Sequence, residues 1–379
     1  MNFELHEDQV QLRDSLSRLL ADQYAFEQRR AIAASAEGTS PAVWRQICGL
    51  GLSGLRIAEE HGGFGGSAAD LSVVMQAFGK ALLTEPFLAS AVLGATALSL
   101  SGDATSHALL PQVASGERIV AWACDEAAGR HAPCWVETRA IREGSSWRLT
   151  GAKACVLNAP QADVFLVSAR VSGSSSDGQG VALFLVQAGS EGLNRRAYRL
   201  IDDTPAGDLR LDGVLAVPLG DPADPLRGAQ VIEATRSAGV AAVCADAVGA
   251  MEGAYQLTVE YLNTRKQFGR FIGENQSLRH RVAEMMVELE VARSMAFLAA
   301  CAIDDPGSVQ AEDLARAKYI IGLHGRSLCQ SAIQLHGGIG MTEEYAVGHY
   351  LRRIAVIDQL FGDSAAQLSR LTEMLDTTT

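Results

Sequence analysis

The chain has 379 residues, is 48% hydrophobic and 20% charged, and carries a formal net charge of −12. Single cores stop growing near ~250–300 residues, so this apolar mass predicts more than one core, and the composition excludes a largely disordered chain. An acidic surface with no long Lys/Arg run excludes a protein that coats nucleic acid.

Three zones follow one another along the chain. In residues 1–115, Val10, Leu12, Leu16, Leu19 and Leu20 recur at helical spacing, and further helices are predicted near Pro41–Leu50, Asp70–Leu83 and Leu88–Leu100. Between them the glycine-rich Glu59–Gly66 reads as a loop with unusual backbone angles. Residues 116–222 change period. Ile119–Ala123, Val164–Val167 and Val181–Val186 are short β-prone runs bounded by turn clusters, which predicts an antiparallel, barrel-like sheet rather than βαβ units. Residues 223–379 return to helix, over Ala234–Thr264, Val282–Ile303 and Ala311–Gln334, all rich in Ala, Val, Leu and Met. That suits a four-helix-bundle domain that also packs on a neighbouring subunit. The fold class expected is therefore α+β: helices, a β domain, then a helical bundle.

Other features narrow the setting. The cysteines at 48, 124, 134, 155, 244, 301 and 329 make no Cys-x-x-Cys pair, which argues for a reducing, cytoplasmic location and against a structural zinc site or a disulfide scaffold. The opening residues Met1–Asp8 lack a basic stretch followed by an apolar one, so no secretory signal is expected. No uncharged apolar stretch reaches the ~18 residues of a membrane span. Neither a Gly-x-Gly-x-x-Gly after a strand nor a phosphate-loop motif is present, so a nucleotide would be held by another device.

Two segments could carry chemistry. In Arg265–Gln276, cations, an amide and a ring precede a glycine at a break between helices. That pattern suits a phosphate or pyrophosphate, and equally an ordinary solvated turn. In Gln334–Tyr345, the pair Gly337–Gly338 directly follows a helix and allows close approach of another backbone or a ligand. Gln334 would present an amide. His336 reads as a hydrogen-bonding group or as an acid or base.

These segments, in this order after a β zone, resemble the acyl-CoA dehydrogenase family over nearly the whole chain. The likeness includes the Glu60-His61-Gly62-Gly63 loop, Gly151-Ala152-Lys153 and the tail Tyr345…Arg352-Arg353…Phe361. Within the family the chain looks most like small subunits of the pimeloyl-CoA dehydrogenase type. The resemblance implies FAD, a tetramer, an electron-transferring flavoprotein as redox partner, and oxidation of an acyl-CoA to its trans-2-enoyl thioester. It also implies that Arg265, Phe268, Gln276, Gln334, Gly337 and Gly338 serve the flavin of an adjacent subunit. By that chemistry a carboxylate removes the α-proton while the flavin accepts the β-hydride.

Departures from the family pattern fall elsewhere. The family's glutamate base position is Gly362 here, with Asp363 one residue later, where it reads either as a displaced base or as the N-cap of a helix over Ser364–Leu375. An alternative base position on an earlier helix falls near Gly239, which leaves Glu233 as a weak reserve. At the positions that would hold the chain's own flavin, Cys124 replaces a threonine beside Asp125, Cys155 replaces the covering tryptophan, and Leu157 replaces a second threonine. Residues serving a neighbour's flavin are thus kept and those serving its own are altered. This predicts a heteromer with a second dehydrogenase subunit. A non-catalytic structural subunit and a flavin monooxygenase on the same scaffold are the alternatives.

Overall fold

The computed structural model describes residues 5–132, 134–305, 307 and 310–376. Residues 1–4 of the segment read for a secretory signal therefore lie outside the described residues. The helices are α1 (Glu7–Gln23), α2 (Phe26–Ala34), α3 (Pro41–Gly49), α4 (Ala68–Ala81), α5 (Ala95–Ser101), α6 (Ala104–Ala114), α7 (Arg227–Thr264), α8 (Gln276–Asp304), α9 (Gln310–His336), α10 (Val347–Gln359) and α11 (Ser364–Asp376). The strands are β1 (Val120–Ala123), β2 (Arg139–Glu143), β3 (Ser146–Leu157), β4 (Val164–Arg170), β5 (Val181–Gln187), β6 (Leu193–Arg199), β7 (Pro205–Leu219), β8 (Lys266–Gln267) and β9 (Arg270–Phe271). The order is N-terminal helices, a middle β domain, then C-terminal helices. No described helix is long and apolar enough to cross a membrane.

Contacts divide the chain into two units. One holds the residues up to Ala31, Ala68–Leu83 and the chain from Val240; the other holds Ile32–Ser67 and Thr84–Gly239. In the helical unit, α9 packs on α8, α10 and α11, and α4 packs on α1 and α8. The helices α4 and α7 meet backbone to backbone: a Cβ on Gly79 would lie 1.9 Å from the Asp246 carbonyl oxygen, and one on Gly249 1.9 Å from that of Gln76. Only glycine permits that approach. Beside the crossing, Arg353 pairs with the buried Asp246 at 2.7 Å. The C-terminal segment carries five described helices, α7 to α11, where four were expected. The helix not named from sequence is α10, and α11 begins where Asp363 accepts a hydrogen bond from the Ala366 amide.

In the other unit, local chemistry sets the helix starts. The Ser40 hydroxyl accepts from the Val43 amide ahead of Pro41, and the Asp103 carboxylate accepts from the amides of Thr105 and Ser106. The predicted helix at Leu88–Leu100 divides into π-helical turns over Phe87–Gly94 and α5. Five strands close a barrel in the cyclic order β4-β2-β3-β7-β5, with β1 added on β4 and β6 on β7. Its interior is filled by Phe165, Val167, Phe184, Val186, Leu209 and Leu211, among others.

The all-antiparallel expectation is corrected here. β1 runs parallel to β4 over Val120–Ala123, and β2 meets β4 in parallel at Arg139 and Arg170. The hairpin β2–β3 lies between β1 and β4 in sequence, so the chain returns to β4 in the direction of β1. The period-2 pattern records burial, not strand direction, and could not reveal this.

Candidate active site

The helical unit displays the first group of functional residues. Helix α7 ends at Thr264, and the next residues form a two-rung ladder, Lys266 with Phe271 and Gln267 with Arg270. Its two-residue turn is Phe268 at φ 50° and Gly269 at φ 81°. Such a turn favours Asn-Gly, and a phenylalanine in a left-handed conformation is strained. The Phe268 side chain is 100% exposed, so nothing within this chain offsets that strain. The ladder is braced from behind. The Lys266 ammonium sits 4.5 Å from the Phe271 ring centroid, Arg270 donates to Asn275 Oδ1 at 3.0 Å, and Arg279 donates to the Gly273 carbonyl at 2.8 Å. Arg265 and Gln276 are exposed on the same short segment.

The second segment is brought to the first by stacking. His336, the last residue of α9, lies 4.6 Å from Tyr261 and 5.1 Å from Tyr345 between ring centroids. Tyr261 stands one helical turn before Arg265 on α7. The stack therefore places the Arg265–Gln276 arm beside the turn that follows His336, although the sequence separates them widely. His336 is 4% exposed, and its Nδ1 is 2.8 Å from the Ala332 carbonyl. Burial pushes its pKa below the ordinary histidine range, so the ring is neutral. It works as a hydrogen-bonding, stacking group rather than an acid. Gly337 takes φ 65°, and no atom lies within 4 Å of a Cβ built on Gly337 or Gly338. With the exposed Gln334 amide beside them, these glycines form an open backbone cradle whose space no described residue fills.

The carboxylate at 363 is engaged as a helix cap. Its Oδ1 accepts from the Ala366 amide at 2.8 Å and its carbonyl accepts from the Gln367 amide at 2.9 Å.

The β unit carries the second group, in which Cys124 is buried and Cys155 is exposed. Cys124 is buried, its thiol aimed at the Leu166 carbonyl 3.9 Å away, and burial raises its pKa to about 12. Asp125 pairs with Arg236 at 3.1 Å, and its carbonyl takes the Ala154 amide at 2.9 Å. That bond ties the 124–126 segment to β3.

Behind it lies a fully buried ion pair that the sequence alone did not reveal. Lys153 meets Glu126 at 2.6 Å, with side-chain exposures of 0% and 5%. Glu126 also accepts from the Thr138 hydroxyl and amide and from the Glu137 amide, and Lys153 donates to Ser168. Burial opposes ionisation of Glu126, but the Lys153 charge and these hydrogen bonds outweigh it and hold the carboxyl below its ordinary range.

Cys155 takes φ 54°, and its amide donates to Asp208 Oδ1 at 3.2 Å. Asp208 in turn holds the Tyr198 hydroxyl and Arg196. Leu157 is buried. A groove of about 920 Å³ runs over β3, β6 and β7 beside this segment, with Ala152, Ala154, Arg196 and Arg210 in its lining.

Three family descriptions match in succession: the N-terminal domain of acyl-CoA dehydrogenases over residues 6–117, the middle domain over 122–214 and the C-terminal domain over 227–375. An L-prolyl-[peptidyl-carrier protein] dehydrogenase of Pseudomonas fluorescens is 32% identical over 81% of this chain and 83% of its own length. The probable acyl-CoA dehydrogenase YngJ of Bacillus subtilis is 27% identical over 98% of both chains. Among solved structures, a chain of the ChsE4-ChsE5 complex from Mycobacterium tuberculosis superposes with a TM-score of 0.87 at 27% identity, covering 99% of each chain.

Proposed function

Because the chain belongs to the acyl-CoA dehydrogenase family, a family of FAD-dependent oxidoreductases, we propose that it works as one subunit of a heteromeric acyl-CoA dehydrogenase. In this reading it lends Arg265, Phe268, Gln276, Gln334, Gly337 and Gly338 to the flavin of its partner. The C-terminal helices then act as the bundle through which subunits assemble. The carrying observation is the contrast between the open Gly337–Gly338 cradle with its exposed Arg265 arm and the β segments, where Cys124 and Leu157 are buried and the exposed Cys155 offers no ring.

The residues of the helical unit fit FAD. A guanidinium suits the pyrophosphate charge, exposed backbone at two glycines lets a dinucleotide lie close, and a free aromatic tip can cover its edge. FAD, when bound, supplies the acceptor for the β-hydride of the acyl thioester. Arg265 would neutralise the pyrophosphate, Gln334 would donate an amide hydrogen bond, and Phe268 would exclude water from the groove. The β half fits the group less well. Cys124 spends its weak donor on Leu166, Cys155 offers no ring to cover a flavin, and Leu157 cannot hydrogen-bond.

Asp363, which caps α11, is the chain's own candidate base for the α-proton, the alternative being a carboxylate of the partner subunit, and an electron-transferring flavoprotein would accept the reducing equivalents. The ChsE4-ChsE5 relative is itself a complex of two named chains, which supports a two-chain assembly. The test is flavin per subunit and anaerobic bleaching by butyryl-CoA, measured on the chain alone and together with a second dehydrogenase subunit. Substoichiometric flavin alone and bleaching only in the mixture are expected. Full flavin loading and full turnover by the isolated chain would overturn the proposal.

A further inference from the structure

The turn that follows α10 is held by an unusual set of buried donors. The Lys318 ammonium, 1% exposed, donates to the carbonyls of Asp358 at 3.0 Å and Gly362 at 3.2 Å. The Gln367 amide, 4% exposed, donates to the carbonyls of Phe361 at 2.9 Å and Gly362 at 3.3 Å. The Asp358 carboxylate, 3% exposed, accepts from the Ser364 hydroxyl at 2.6 Å and from Arg326 at 2.9 Å. Burying three polar side chains around three residues is costly unless every group is satisfied and the geometry is required. The backbone they hold is itself unfavourable, with Phe361 at φ 60° and Gly362 at φ 102°. Such strain persists only where the surroundings over-determine it.

We infer that Lys318 and Gln367 are positioning residues that lock the Phe361–Asp363 turn in a left-handed form open only to glycine at 362, so that the absence of a base there belongs to the whole turn. A Cβ at 362 would lie 2.8 Å from Gln367 Nε2. The amide could swing aside only by surrendering its bonds to Phe361 and Gly362. Even then φ 102° would remain strained for any other residue. The Asp358–Ser364 contact fixes the far side of the turn, and α9 accommodates it with Gly322, where a Cβ would lie 2.7 Å from Asp358 Oδ1. A carboxylate grafted at 362 therefore enters a turn that is pulled inward by its carbonyls. The lock rests on contacts within this chain and does not depend on the reading above.

A thermodynamic cycle separates the two ideas. In urea unfolding of the full chain, Gly362→Ala is expected to lower the folding equilibrium constant about tenfold or more. In a Gln367→Ala background, or in Lys318→Met should that fold, the same change is expected to cost at least about threefold less. Additive losses would overturn the lock. With FAD supplied in large excess so that the chain's own site fills, butyryl-CoA should leave Gly362→Glu unbleached and bleach Gly362→Glu/Gln367→Ala at least about tenfold faster, a spectroscopic change that mere loss of stability does not produce. Equal bleaching of the single and double variants would also overturn the inference. Coupled stabilities with both variants silent would support the lock and leave the proposed function, which does not need this turn to meet an acyl group, untouched.

Discussion

The Arg265–Gly338 region and the Cys124–Leu157 region spend their polar atoms in opposite ways. In the first, Phe268 stands fully exposed on a strained turn, Arg265 and Gln334 point outward, and the two glycines leave open space. These side chains add little to the stability of their own fold. In the second, Asp125, Glu126, Lys153 and Asp208 close on partners within the same unit. Groups that stabilise their own fold can be kept for that reason alone. Exposed groups on a strained frame have no such reason, so they are the better evidence for service to another chain.

The comparison is broken most severely at Lys153. Lys153→Met keeps the apolar stem but leaves the Glu126 carboxylate in a site without its cation. Removing one member of a buried pair costs about 3–5 kcal/mol, and a urea melt of the variant should show a loss of that size. Because Glu126 titrates below its ordinary range when folded, its contribution is present above the unfolded value near 4.5 and lost as pH falls through the folded value. The wild-type chain should therefore lose stability below about pH 4.5, and Lys153→Met should lose much less of what remains over the same window. A variant as stable as wild type would mean the β half is not held by this pair.

Arg265→Ala asks the opposite question of the other region. The side chain is exposed and no described residue receives a hydrogen bond from it, so the melting temperature should not move. Flavin retention by the heteromeric assembly should fall about tenfold or more, the worth of one charge-assisted contact. Unchanged flavin content at equal assembly would remove the grip from Arg265.

The pattern of elements was readable because the helices α7, α8 and α9 keep proline out of their interiors and carry continuous apolar faces, and because β4 and β5 are short apolar runs between turns. Strand direction was not readable, since alternation is the same in parallel and antiparallel ladders. The exposed half of the site was legible because its residue types stand out: a cation-rich arm and a paired glycine after a helix. What escaped was every feature made by long-range partners. Tyr261, His336 and Tyr345 are ordinary in sequence and become a stack only when α7 meets α9. Lys153 and Glu126 are 27 positions apart, and neither residue type foretells burial. For Asp363 the sequence left base and cap open; its carboxylate does accept from the Ala366 amide at the start of α11, a contact no residue type announces.

A smaller effect sharpens the comparison within the helical unit. Burial holds both His336 and His349 below the ordinary histidine range, and nearby Arg352 and Arg29 add to this at His349. Both rings stay neutral in the fold while the unfolded chain binds protons below about pH 6.5. The stability they confer is thus present above pH 6.5 and lost as pH falls through their folded values. Thermal melts should show a decline in stability as pH falls below about 6.5. His336→Asn, which cannot titrate, should flatten part of it while lowering stability at pH 7 through the lost stack. An unaltered pH profile would show that the His336 environment does not oppose its charge.

The smallest change probes whether the β half could be turned back toward a flavin. Cys155→Trp with Cys124→Thr restores a ring and a hydroxyl at the two altered positions. An aromatic contact is worth about 0.5–1.5 kcal/mol beyond its area, which alone would raise flavin affinity of the isolated chain a few-fold to about tenfold. Two terms oppose it. Tryptophan at φ 54° is strained, and the buried threonine hydroxyl can satisfy itself on the Leu166 carbonyl that Cys124 now faces. The expected gain in equilibrium dialysis of FAD is therefore at most a few-fold, with flavin still substoichiometric. Full loading by this double variant alone would show that two side chains, and not the inward wiring of Glu126, Lys153 and Asp208, separate the two regions.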